Sequence, residues 1–167
     1  MKRYWAVIET PFQAMAAWVD DKDNLLRFHL RAEGAQTMDR AAIHDPARLA
    51  EVQRQVTDYA NGSRRDFDLP LAPQGPAFEM RVWQALRDIP FGATTSYGAV
   101  AKTIGQPGAA RAVGAANNAN PIGLIIPCHR VIGADGQLVG YGGGLALKRK
   151  LLEHEARVCG RRFDLFG

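Results

Sequence analysis

The stretch DFDLPLAPQGPAF, residues 66–78, constrains this chain more than any other part of it. Its three prolines and one glycine carry no helical period. Each proline removes a backbone donor and turns the residue before it toward extended backbone. Regular structure has to stop on one side of this segment and begin again on the other. The expectation is two domains, 1–76 and 77–167, the first ending in this linker.

Before the linker, RYWAVIET and AMAAWVD read as strands. WVDDKDNLLRFHLR places a polar turn at Asp20 to Asn24 between two apolar runs, the pattern of a hairpin. HDPARLAEVQRQVTDYANG predicts a helix, with Asp45 as N-cap, Pro46 at the first helical position and Asn61-Gly62 as the stop. Leu49, Val52, Val56 and Tyr59 recur near helical spacing along it. This first part is small and α/β.

After the linker, FEMRVWQALRDI sets Phe78, Val82, Trp83 and Leu86 on one helical face, and Pro90-Phe91-Gly92 ends the run. Ser96 caps a short helix through Ile104, GQPG makes a tight turn, and a second helix follows to about Asn118. Two short helices around a glycine-containing turn make either an ordinary helical hairpin or a DNA-binding helix-turn-helix. The second helix, AARAVGAANNAN, is built from small residues such as Ala110, Ala112 and Gly114, with Arg111 its one long cation. Such a face suits close helix packing or close approach to a nucleic acid, where an arginine meets phosphates or an opened base pair.

Charge separates the two parts. Residues 1–76 carry 10 Lys+Arg against 11 Asp+Glu, a net of −1; residues 77–167 carry 11 against 6, a net of +5. The basic second part points to a polyanion partner, although a basic face is also what a merely solvated surface looks like. No apolar run approaches the roughly 20 residues that span a bilayer. The N-terminus MKRYWAVIETPFQ lacks a signal-peptide core, which predicts a cytoplasmic protein. Two cysteines without a CxxC pair or a histidine cluster predict reduced thiols, no metal site and no cofactor.

One of those cysteines, Cys128, stands before His129 in NANPIGLIIPCHRVIGADG. A free thiol is only a few per cent thiolate at neutral pH, so a nucleophilic cysteine needs a base or a positive environment. Neighbours in a strand point apart, so His129 requires a turn at Pro127-Cys128 or a bridging water to reach it. The helix ALKRKLLEHE, with Leu147, Leu151 and Leu152 on its apolar face, offers Glu153 and Glu155 as carboxylates to orient the histidine; spacing does not choose between them. For a lone Cys-His pair the favoured reading is an inert one, with Cys128 a buried thiol, His129 a core histidine and the glutamates solvated helix charges. GQLVGYGGG, 136–144, adds a glycine-rich lid or pocket wall around Tyr141.

PCHRV preceded by NPIGLII and followed by GYGGGLALKRKLLEHE resembles the O6-alkylguanine-DNA alkyltransferases, ungapped from about Phe78 to Glu155 and more loosely before it. The resemblance implies an α+β fold: a ribonuclease-H-like α/β N-terminal domain, then a mostly helical domain with a winged-helix-like helix-turn-helix in the minor groove of double-stranded DNA. It implies direct-reversal repair, an irreversible single transfer from O6-alkylguanine, with O4-alkylthymine a second candidate, by a protein that is monomeric or assembles cooperatively on DNA. Carried over by position, Cys128 is the alkyl acceptor, His129 the base acting through a water, Glu155 its carboxylate, Tyr97 a donor toward guanine N3 and Asn120 a hinge. Arg111 fills the gap left by the flipped nucleotide, beside Ala110, Ala112, Gly114 and Asn117 at the groove. Val131 and Cys128 read the base through their backbone, Tyr141 walls the pocket, and an amide near Gly142 faces O6.

Gly142, Gly123 and Asn117 depart from residues that many relatives carry, and the zinc ligands of some relatives are absent. Two rival classes stand beside the resemblance: a lesion sensor that binds without accepting the alkyl group, and a Cys-His hydrolase. Cys128 argues against the first and the helix-turn-helix against the second.

Overall fold

Six helices and a small sheet form in the computed structural model, a mixed α+β fold in which residues 1–163 are described. The last four residues of the second expected domain, 164–167, lie outside the described residues. The chain divides into two compact units, Met1–Gln74 with Pro121–Ile125, and Gly75–Asn120 with the residues from Ile126 on.

In the first unit, alternating and fully apolar stretches become strands. β1 (Arg3–Ile8), β2 (Met15–Asp20), β3 (Leu25–His29) and β4 (Ile43–His44) form one sheet in the order β3-β2-β1-β4. β1 and β2 are antiparallel in the register Trp5↔Trp18, and β2 turns into β3 through the polar hairpin, where Asp20 accepts from the amides of Lys22 and Asn24 at 2.9 Å. All six residues of central β2 are buried, so both its faces are covered. Ala16 and Trp18 pack with Ala35 of the one-turn helix α1 (Ala35–Met38).

The predicted helix has a different first turn: Asp45 caps a 3-10 turn, Pro46–Leu49, which runs into α2 (Ala50–Ala60). Tight i→i+3 turns are common at helix starts. Leu49, Val52, Val56 and Tyr59 are buried, as their spacing requires. The proline-rich segment stays extended, and Leu71 bridges to Leu25 at the sheet. Pro121–Ile125 also joins this unit, through a bridge of Ile122 to Phe28.

In the second unit, α3 (Ala77–Arg87) buries Val82, Trp83 and Leu86, and the Trp83 indole N–H donates to the Ala116 carbonyl at 2.8 Å. β5 (Thr95–Ser96) pairs in parallel with β6 (Val131–Ile132), which places the chain after Cys128 beside the start of the helical pair. Ser96 caps α4 (Tyr97–Thr103) by accepting from Ala99 N at 3.1 Å. The turn at 104–109 leads to α5 (Ala110–Asn118), which packs on α3 and α4. α6 (Leu145–Val158) closes the unit with Leu147, Leu151 and Leu152 buried. No helix among the described residues is long and apolar enough to cross a membrane.

Candidate active site

Cys128 does not sit in a strand. It opens a 3-10 turn, Cys128–Arg130, entered from Pro127, and all three residues of the turn are buried. Three residues per turn separates successive side chains by about 120°, not the 180° of a strand, so Cys128 and His129 both reach the interior. Asn120 Nδ2 donates to the Ile126 carbonyl at 2.9 Å, Asn117 Nδ2 to the Cys128 carbonyl at 3.3 Å, and the Val131 amide to the same Cys128 carbonyl.

Glu155 of α6 has no exposed surface and accepts four hydrogen bonds. They come from His129 Nε2 at 2.6 Å, Arg130 Nε at 2.8 Å, Arg130 Nη2 at 3.1 Å and the Gly92 amide at 3.0 Å. Arg130 also donates to the Ile89 carbonyl at 2.7 Å and lies over the Phe91 ring. Burial by itself raises the Glu155 carboxyl, but His129 and Arg130 outweigh it and hold the group well below the usual carboxylate range.

The carboxylate charge is thus matched by a guanidinium, and His129 need not carry one. Burial pushes the imidazole below its usual value against the pull of Glu155. A neutral ring that donates through Nε2 keeps its lone pair on Nδ1. His129 Nδ1 is buried and has no hydrogen-bond partner among the described residues. A ring held this way can act as a general base, with the carboxylate behind it setting the tautomer.

Around Cys128 lie three further polar groups. Tyr97 donates its hydroxyl to the Val139 carbonyl at 3.0 Å, and Lys148 Nζ donates to the same oxygen at 2.9 Å and to the Gly140 carbonyl at 3.3 Å. Burial, and then the charge at Cys128, raise the Tyr97 hydroxyl and raise that of Tyr141 well above the ordinary value. Burial lowers Lys148 to about 8, with Cys128 opposing the shift.

Residues 77–157 match the family model of the 6-O-methylguanine DNA methyltransferase DNA-binding domain. The methylated-DNA--protein-cysteine methyltransferase of Methanosarcina acetivorans is 41% identical over 152 residues, 91% of this chain and 97% of the relative. The enzyme of that name from Mycobacterium leprae is 57% identical over 118 residues, 71% of this chain and 72% of its own. The chain belongs to the methylated-DNA--protein-cysteine methyltransferase family. The crystal structure of Mycobacterium tuberculosis OGT in complex with DNA is similar throughout, with a TM-score of 0.86 at 42% identity, over 93% of this chain and 94% of that one. An O6-methylguanine DNA methyltransferase from Methanococcus jannaschii gives 0.66 at 28% identity, over 97% and 96%.

Within this family member, the residues singled out in the sequence fall into two groups. Cys128, His129, Glu155, Asn117 and Val131, all buried, and Asn120, Tyr97 and Tyr141, half-buried, belong to one neighbourhood of the second unit. Arg111 and Ala112 face solvent on α5, where Ala110 and Gly114 are half-buried, and Gly142 is exposed. A side chain built on Gly114 comes 3.8 Å from the Tyr97 ring. Glu153 is the helix-surface carboxylate, paired with Arg149 at 3.4 Å. Cys128 and Cys159 are not joined by a disulfide, and among the described residues no three or more His, Cys, Asp or Glu cluster as metal ligands.

Three groups of the site escaped the sequence reading: Arg130, Lys148 and the Gly92 amide. Lys148 carried a signal, since it falls on the same stripe of α6 as Leu151, Leu152 and Glu155. Gly92 has φ 81°, and a side chain there would lie 2.6 Å from Cys159 Sγ, so only glycine brings this amide to Glu155.

Proposed function

We propose that this protein repairs O6-alkylguanine in double-stranded DNA by direct reversal, moving the alkyl group once and irreversibly to Cys128. Membership of the family supports transfer from DNA to a protein cysteine, and the likeness to a relative crystallised with DNA supports DNA as the partner. The observation that carries the assignment to Cys128 is the buried His129–Glu155–Arg130 network, which engages His129 Nε2 and leaves Nδ1, on the residue next to the thiol, without a partner among the described residues.

His129 Nδ1 takes the thiol proton through a water. The thiolate sulfur forms a bond to the alkyl carbon as the carbon–O6 bond breaks, and its electron pair passes to the guanine ring. Tyr97 donates a hydrogen bond toward N3 as negative charge builds on the leaving guanine. The guanine then takes up one proton at N1 from water and His129 returns one to water, so the products are a thioether, neutral guanine and a neutral His129. No step regenerates the thiol.

The first unit is read as ribonuclease-H-like. The α4–α5 pair is a winged-helix-like helix-turn-helix that enters the minor groove, with the domains as 1–76 and 77–167. Small residues on α5 suit a narrow groove, and exposed Arg111 takes the place of the flipped nucleotide. Asn120 braces the turn, Tyr141 walls the pocket, and the backbone at Cys128, Val131 and Gly142 reads the base. The protein acts as a monomer or assembles cooperatively on DNA.

The test is an intact mass after incubation with an O6-methylguanine duplex. One methyl gained on the peptide holding Cys128, and lost in Cys128→Ser, is the expected result. Binding without any mass gain overturns it in favour of a lesion sensor.

A further inference from the structure

Lys148 has no exposed surface, an uncommon position for a lysine. Its ammonium rests on the carbonyls of Val139 and Gly140 and lies 5.9 Å from the centre of the Tyr141 ring. The Val139 carbonyl is shared with the Tyr97 hydroxyl, so one oxygen joins α4, the glycine-rich loop and α6. Carbonyl dipoles solvate an ammonium without cancelling its charge. Cys128 and His129 are the titratable groups electrostatically coupled to it, the Tyr141 ring lies beside it, Tyr97 is across the shared carbonyl and Glu155 is two turns along α6.

We propose that Lys148 is a positioning residue for the alkyl transfer: anchored on the Val139 and Gly140 carbonyls, it fixes the loop beside the pocket and sets a buried positive charge next to Cys128. The inference rests on the function proposed above. The two roles act on one step. A fixed loop keeps the pocket wall in place while the base enters, and the nearby cation favours thiolate over thiol. The coupling is mutual, because the charge of Cys128 in turn helps Lys148 keep the proton that burial works to remove. Once the sulfur is alkylated that charge is gone, and the ammonium loses its support.

The experiment follows the pH dependence of Cys128 alkylation by iodoacetamide, read by peptide mass so that Cys159 is counted separately. Lys148→Gln keeps a donor for the loop and removes the charge; the rising limb of the profile moves up by about one pH unit. Lys148→Met shows the same displacement and also slows transfer from free O6-methylguanine base, while Lys148→Arg keeps the wild-type limb. A limb that stays in place in Lys148→Gln, or a loss equal at every pH, overturns the proposal. Wild-type protein gives a second reading that needs no variant. By NMR of ε-carbon-labelled lysine, the Lys148 titration falls to lower pH after Cys128 is methylated, and an unmoved titration overturns the proposal. Wild-type transfer from duplex DNA, run alongside, tests the function itself; its absence sinks that reading while the iodoacetamide profile still decides Lys148.

Discussion

Each unit of this protein holds a bidentate arginine–carboxylate pair. In the first, Arg3 donates to Asp39 through Nε and Nη2, with side chains 38% and 20% exposed. In the second, Arg130 makes the same fork on Glu155 with side chains 7% and 1% exposed. Water can take over either half of the first pair when the other is removed. It cannot reach the second, where each charge left alone is left in a medium that solvates it poorly. The same chemistry is a fastening in one place and an obligation in the other. That obligation is what makes it useful at the site, because a carboxylate already neutralised by arginine orients His129 without protonating it.

Glu155→Gln puts the contrast to its hardest test. It strands Arg130 and removes the acceptor that sets the His129 tautomer, so unfolding free energy drops by about 3–5 kcal/mol. Alkyl transfer slows on the order of a hundredfold or more. Asp39→Asn, measured side by side in urea titrations and in transfer assays, changes both little. Equal stability losses in the two variants would break the comparison.

Acid sharpens it. His129 titrates below its ordinary 6.5 and Glu155 below its ordinary 4.5, so the unfolded chain binds more protons than the native one across both ranges. Stability therefore rises with pH there. The His129 contribution is whole above pH 6.5 and declines below it; the Glu155 contribution is whole above 4.5 and is lost as the pH falls toward its depressed native value. Urea titrations in steps from about pH 8 to 3 should show both losses in wild type. Glu155→Gln removes the lower one, and Asp39→Asn leaves most of it. An acid limb that is the same in Glu155→Gln and wild type contradicts the buried carboxylate as its source.

Arg111 tests a different consequence of exposure. It makes no contact that the fold requires, so Arg111→Ala leaves stability unchanged and costs transfer from duplex DNA on the order of tenfold, with transfer from free base untouched. Equal losses on duplex and free base would remove it from base flipping.

What the sequence made legible was whatever local pattern controls. Val52, Val56 and Tyr59 declare a helix face, Ser96 a cap, and Cys128 with Glu155 a site once the flanking motif is recognised. It did not show which charges are buried, because patterning assigns arginine and lysine to solvent and only the folded neighbourhood overrules that for Arg130 and Lys148. Nor did it show pairings between distant short segments. Two-residue strands such as Thr95–Ser96 with Val131–Ile132 have no period to read, and the joining of Ile122 to Phe28 in the first unit is a tertiary event.

Two glycines, one in each unit, turn the contrast the other way. A methyl on Gly123 would meet three Leu30 side-chain atoms at 2.9–3.1 Å, and Gln13 holds the Leu30 carbonyl at 2.6 Å, so the leucine cannot simply withdraw. Gly123→Ala should cost about 1–3 kcal/mol through overpacking. A side chain on Gly142 meets nothing within 4 Å, and its backbone is outside the left-handed region. Gly142→Ser should then stay within about 0.5 kcal/mol of wild type. Here the first unit is the strict one and the second the permissive one, the reverse of the ion pairs, because strictness follows packing around the atom concerned and not the unit it belongs to. Matching thermal melts for the two variants would show that the loop around Gly142 is as closely packed as the core around Leu30.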